Sequence, residues 1–140
     1  MRILFDTSAM YKRYAQEFGH SRVIALSQQA NSIVVAAHCK TELASALNRQ
    51  RHDGVLAASD YAVVLADIHA DFADFEQVAL DRPVELLAIA AMEQHRLRAM
   101  DALHIATAQL AQVDLFVSAD RRQTLAAQRV GLNTELIEKS

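Results

Sequence analysis

The stretch Leu115-Phe116-Val117-Ser118-Ala119-Asp120-Arg121-Arg122 decides the fold. Its first four residues form a short run without the apolar–polar alternation of a strand that faces water on one side. A strand apolar on both sides is one that helices cover from both faces of a parallel sheet. An acid closes the run and a helical segment, Arg121–Val130, follows until Gly131 stops it. The chain opens in the same way, with Arg2–Phe5, then Asp6, then a helical pattern over Ser8–Phe18. Working outward, strands are predicted at Ser32–Ala36, Gln77–Leu80 and Thr134–Ile137. Helices are predicted over Ser21–Ala30, Lys40–His52, Leu56–Phe75, Val84–Arg98 and Met100–Gln112, with Pro83 suited to a first turn. The expected fold is α/β, three layers α/β/α around a central, mainly parallel sheet of about five strands.

The 140 residues are 52% hydrophobic, enough for one core and no second, so a single domain over 1–140 is expected. With 3 Gly and 1 Pro, no stretch reads as a linker. Cys39 stands alone, which excludes an internal disulfide and a cysteine-built zinc site. The apolar start ends at Asp6, too short for a signal-peptide core, and Leu86–Met92 is far short of the ~20 residues that span a bilayer. A soluble, cytoplasmic protein without a membrane partner is expected.

Ligands of open α/β sheets gather beyond the carboxyl ends of the strands. Asp6 and Asp120 both fall there, on the same edge. Each has a plainer reading as a helix N-cap, and Asp120-Arg121-Arg122-Gln123 spells a capping box of the acid type. Glu42 lies in the first turn of its helix, where the dipole favours a carboxylate regardless of chemistry. Asp101 is harder to dismiss. Its helix, Met100–Gln112, is apolar on nearly every face and should be buried, and a carboxylate there is costly without a compensating cation. Carboxylate oxygens are hard ligands that suit Mg²⁺ or Mn²⁺.

The segments Phe5-Asp6-Thr7-Ser8-Ala9 with Lys12-Arg13-Tyr14, Thr41-Glu42-Leu43-Ala44-Ser45-Ala46-Leu47, Met100-Asp101-Ala102-Leu103-His104-Ile105-Ala106 and Val117-Ser118-Ala119-Asp120-Arg121-Arg122 resemble the successive motifs of the PIN-domain family. Each is weak alone, but their order and spacing from the first strand to Gly131 are similar to those of VapC-like ribonuclease toxins. The resemblance implies a metal-dependent endoribonuclease of a toxin–antitoxin pair, with Asp6, Glu42, Asp101 and Asp120 as catalytic and metal-ligating acids. It also implies Ser8 and Ser118 as hydroxyls supporting a metal-bound water or a neighbouring carboxylate. Ser118 stands where the family often has Thr, and Met100 where a small residue commonly precedes the third acid. The implied cofactor is Mg²⁺ or Mn²⁺, and the implied partners are RNA, a cognate antitoxin and a second copy of the chain in a homodimer.

A net charge of −3 argues against nucleic acid until the four acids are set aside, which leaves +1. Lys12, Arg13, Arg49, Arg51, Arg98, Arg121 and Arg122 flank the acidic motifs as candidate phosphate contacts, whereas Tyr11, Tyr14, Phe18 and Phe116 read as core. His104 lies three residues after Asp101 on the same helical face and reads as a structural histidine or a hydrogen-bond partner of that acid. The His-Glu-x-x-His of zincins, the two Glu-x-x-His pairs of a di-iron bundle, a glycine-rich phosphate loop and a Gly-x-Ser-x-Gly elbow are all absent. The rival class is a non-catalytic interaction module whose acids merely cap helices. A phospho-acceptor domain, which wants a lysine after a late strand, ranks third: Lys12 and Lys40 follow none, and Lys139 follows only the terminal one, Thr134–Ile137.

Overall fold

In the computed structural model, which describes residues 1–139, the apolar runs form five strands: β1 Arg2–Phe5, β2 Ser32–Ala36, β3 Glu76–Val78, β4 Leu115–Ser118 and β5 Thr134–Leu136. All pair in parallel, in the order β3-β2-β1-β4-β5, with Leu4 beside Val34 on one flank and Phe116 on the other. Alternate side chains on the central strand supply two cores. Ile3 and Phe5 pack with Val35 and Val117 under the helices α1 Thr7–Tyr14, α2 His20–Gln29, α3 Cys39–His52 and α4 Ala58–Asp74. Leu4 packs on the other face with Val34, Phe116 and Ile105, under α6 Ala99–Ala111 and α7 Arg121–Arg129. Helix α5 Arg82–Gln94 lies against α6 through small residues, Ala88 and Ala91 meeting Ala102 and Ala106. The architecture is the expected α/β/α sandwich.

Strand order places the topological switch at β1 and β4, the two strands that end in Asp6 and Asp120. The chain runs outward from β1 through β2 to β3, then returns to β4 on the opposite side of β1. A crevice must open between the loops that leave in opposite directions.

Two helices end earlier than the sequence pattern extends. Helix α1 stops at Tyr14 and not Phe18, because Ala15 is extended and Lys12 Nζ donates to Phe18 O at 2.8 Å, tying the following loop back. Phe18, read as core, is consequently 49% exposed. Helix α5 starts at Arg82, with Pro83 in its first turn, and stops at Gln94, where His95 turns extended. Residues 95–98, expected to be helical, become a loop that crosses the carboxyl edge of the sheet toward α6. Nothing in the apolar spacing foretold this, since Leu97 still packs inward. No described helix is long and apolar enough to cross a membrane.

Candidate active site

Asp6 is fixed from three directions. Its Oδ1 accepts from Ala9 N at 2.9 Å, the N-cap bond of α1, and from Ser8 Oγ at 2.7 Å, while Oδ2 accepts from Ser118 Oγ. Ser8 Oγ in turn accepts from Ala119 N at 2.9 Å, and Ser118 Oγ from Asp120 N at 3.0 Å. The two hydroxyls thus stitch the end of β1 to the end of β4. The Asp6 carboxyl is 1% exposed, and burial raises its pKa despite the opposing charge of His104 and the hydrogen bonds from Ser118, Ser8 and Ala9.

Asp120 caps α7, its Oδ1 accepting from Arg122 N at 2.8 Å and Gln123 N at 3.1 Å. The plain capping reading therefore describes real bonds of both Asp6 and Asp120. It does not describe Asp101, which sits inside the first turn of α6 behind Arg98 at the N-cap. Among the described residues no donor reaches the Asp101 carboxylate, which is half-buried. Burial raises its pKa, and the negative charges of Asp120, Asp6 and Glu42 raise it further against His104. Four carboxylates on four separate elements hence share one field. Glu42, Asp101 and Asp120 also line one cavity of about 740 Å³.

Glu42 is held differently. Its Oε1 accepts from Thr7 Oγ1 at 2.5 Å and from His104 Nε2 at 2.9 Å, with His38 Nε2 at 3.3 Å. Burial pushes its pKa up, but the His104 and Thr7 hydrogen bonds and the nearby histidines outweigh this and leave it below the ordinary value. His104, 2% exposed, therefore partners Glu42 on α3 and not Asp101 on its own helix. Sequence spacing could not reveal this bond, because it crosses between elements 62 residues apart. The Thr7 bond likewise joins separate elements, whereas His38 stands four residues before Glu42 at the N-cap of the same helix.

The donor set fits a hard divalent cation. Among the described residues both oxygens of Asp101 are without partners, and Glu42 Oε2 and Asp120 Oδ2 take none of the hydrogen bonds that hold their carboxylates. The acids are spread, however. Among the described residues the one trio of ligand atoms all within 4.8 Å of one another is His38, Glu42 and His104. Direct ligation at roughly 2.0–2.6 Å requires the carboxylates to swing inward, or waters to bridge them, as Mg²⁺ favours.

Several cations singled out in the sequence prove to be engaged elsewhere. Lys12 pairs with Glu17, Arg13 with Asp71 and Arg121 with Glu138, and Arg51 bonds Asn48 beneath the Tyr61 ring.

The family described as PIN domain matches residues 3–128 of the chain. No curated protein matches it. Among solved structures it is similar to FitAcB from Neisseria gonorrhoeae, with 16% identity over 94% of this chain and 95% of that one and a TM-score of 0.67. A toxin–antitoxin complex from Klebsiella pneumoniae matches with 13% identity, 99% coverage of both chains and a TM-score of 0.72. VapC20 of Mycobacterium tuberculosis, a toxin that cleaves the sarcin–ricin loop, matches with 17% identity over 93% and 95% of the two chains and a TM-score of 0.70. At such identities the likeness is one of fold.

Proposed function

Because the chain belongs to the PIN domain family, we propose that it is a metal-dependent endoribonuclease, the toxin of a toxin–antitoxin pair, with Asp6, Glu42, Asp101 and Asp120 as its catalytic acids. One observation carries the reading most: among the described residues no donor reaches the half-buried carboxylate of Asp101, which stands in the combined field of three other acids and lines a cavity of about 740 Å³. Such a charge is expensive unless a cation compensates it. Glu42, Asp101 and Asp120 would hold Mg²⁺ or Mn²⁺ with Asp6, and the bound ion supplies an activated water and neutralises charge on the phosphate. The protein's own part is positional. Ser8 and Ser118 orient Asp6, the α7 N-terminus orients Asp120, and His104 with Thr7 orients Glu42. The same reading gives the chain RNA as substrate, an antitoxin protein and a second copy of itself as partners, and the cytoplasm as its place of action.

Incubating the purified protein with total RNA in Mg²⁺, and again in EDTA, tests the activity. Cleavage only with metal, lost in Asp101→Asn, is the expected result; no cleavage by the antitoxin-free protein overturns it. A second reading, a non-catalytic PIN-like module that binds protein or RNA, draws on the genuine capping bonds of Asp6 and Asp120. Mn²⁺ titration separates the two. A ligand bound only by the folded state raises the melting temperature, by about 2.7 kcal/mol of stability at a hundredfold excess over Kd, whereas helix caps alone give no rise.

A further inference from the structure

Of the eleven arginines of this chain, Arg51 bonds Asn48, Arg49 and Arg82 stand exposed and apart, and the other eight fall into two groups. Arg2, Arg13, Arg22 and Arg121 each pair with an acid, Glu76, Asp71, Glu135 and Glu138 respectively. Arg96, Arg98, Arg122 and Arg129 are exposed, and among the described residues none of their guanidinium groups meets an acid or an acceptor. These four gather in one place. Arg96, Arg98 and Arg122 line the cavity of Glu42, Asp101 and Asp120, and a second cavity of about 540 Å³ continues from it, sharing Arg96, Leu97 and Arg122 and adding His95 and Arg129. The loop left by the early end of α5 forms one wall, and α7 forms the other. Arg122 and Arg129 lie seven residues apart, hence on one face of α7 and about 10 Å apart along its axis. His95 adds a ring nitrogen, Nε2, that is buried without a partner.

We infer that this groove is a phosphate-binding subsite that holds the backbone of a single-stranded RNA beside the acidic cavity, through Arg96, Arg122 and Arg129. The inference rests on the nuclease reading and gives it a direction: the strand leaves the acids along α7. Unpaired guanidinium groups present forked donors that match phosphate oxygens, and each contact made releases counterions from the strand. Like charges that line one groove repel one another, and an anion bound there relieves that repulsion. A strand of phosphates has the length to satisfy both cavities at once, which a lone carboxylate has not. Arg13, Lys12 and Arg121, singled out from the sequence, are already neutralised by their partners and lie outside this track.

The test is fluorescence anisotropy of a labelled, unstructured RNA oligomer with the full chain in EDTA, so that binding is read without cleavage. The parent is compared with Arg129→Gln, with Arg96→Gln/Arg129→Gln and with Arg82→Gln, which removes an exposed, unpaired charge elsewhere. The double variant is expected to bind about tenfold or more weakly. The slope of log affinity against log salt should fall by about 0.7 per arginine. Arg82→Gln should match the parent, and all variants should melt alike. Unchanged affinity and slope in the double variant overturn the subsite, as does an equal loss in Arg82→Gln, which would be a bulk charge effect. Binding of poly-glutamate that is lost in the double variant, with RNA binding intact, overturns it in favour of an acidic protein partner. In Mg²⁺, loss of RNA cleavage should appear as a raised KM with kcat kept. If the parent binds but never cleaves, the catalytic reading falls while the subsite stands on its binding data.

Discussion

His104 Nε2 lies 2.9 Å from Glu42 Oε1, while the other nitrogen of the same ring, Nδ1, is buried without a partner. A carboxylate can only accept, so Nε2 carries the hydrogen and donates to Glu42. His104 is thereby a positioning residue for Glu42. His104→Leu should lower cleavage roughly 10–100-fold, the usual cost of losing a partner of a metal ligand. His104→Gln, whose amide nitrogen reaches the same place as Nε2, should recover much of it. An Mn²⁺ titration followed by melting temperature gives the independent readout: the leucine variant should require more metal for the same rise. Equal metal dependence in leucine, glutamine and parent proteins would leave His104 as packing alone.

Asp6 gives a prediction in pH. Burial raises its folded pKa above the ordinary 3.8, and Asp101 is shifted in the same sense by burial and like charge. A group whose folded pKa is raised contributes stability below its unfolded pKa and loses it as pH climbs through the folded value. The metal-free protein therefore loses stability from these two acids as pH rises from about 4 toward neutrality. Asp6→Asn keeps an oxygen for the Ala9 N–H and removes the charge. Its melting temperature in EDTA should match the parent at acid pH and exceed it near neutrality by a few degrees, the effect of about 1 kcal/mol in a domain of this size. Cleavage should be abolished throughout. A variant that melts below the parent at neutral pH, or that cuts RNA at the parental rate, contradicts this account.

The positions of Asp6 and Asp120 were legible in the sequence because each follows an apolar strand directly, and strand ends share an edge in a parallel sheet. Asp101 was legible for an opposite reason, as a charge on a helix too apolar to be anywhere but inside. What escaped was everything that depends on which helix faces which. The bonds of Glu42 to Thr7 and His104 join three elements whose mutual rotation no periodicity encodes. The break after Gln94 escaped as well, because Leu97 continues the apolar spacing through a loop that the backbone has already turned extended. Both pass unseen in a reading built on local pattern, and together they shape the walls of the candidate site.

Gly19 opens α2 with φ at +92°, a left-handed conformation that a side chain strains. A Cβ there would also run into Ile137 Cγ2 and approach Lys12 Cδ to 2.9 Å. Gly131 has nearly the same φ, +93°, with nothing within 4 Å. The two positions therefore separate backbone strain from steric crowding. Gly131→Ala should cost about 1 kcal/mol, and Gly19→Ala more, up to about 3 kcal/mol, since Ile137 is a buried core residue with little room to retreat. Chemical denaturation of both variants measures the difference. Equal losses would mean that the Ile137 contact relaxes at no cost.

Ser118 joins the two strand ends through one oxygen, which donates to Asp6 Oδ2 and accepts from Asp120 N at 3.0 Å while wholly buried. Ser118→Ala removes both bonds at once. It strands the Asp120 N–H and leaves Asp6 to Ser8 and Ala9 alone, a loss of about 1–3 kcal/mol in stability. Activity should fall more than stability alone explains, because the released Asp6 carboxylate can turn away from the cavity of the other acids. Ser118→Thr keeps the hydroxyl and adds a methyl group to a packed site. It should therefore lose some stability, by overpacking of about 1 kcal/mol, yet keep most of its cleavage. The order expected is parent above threonine above alanine in activity, measured at a temperature where all three are fully folded. Val in the same position has the shape of Thr without the oxygen, and Ser118→Val should be as inactive as Ser118→Ala. If valine and threonine variants cleave alike, the hydroxyl does not position Asp6, and the link between β1 and β4 matters for packing only.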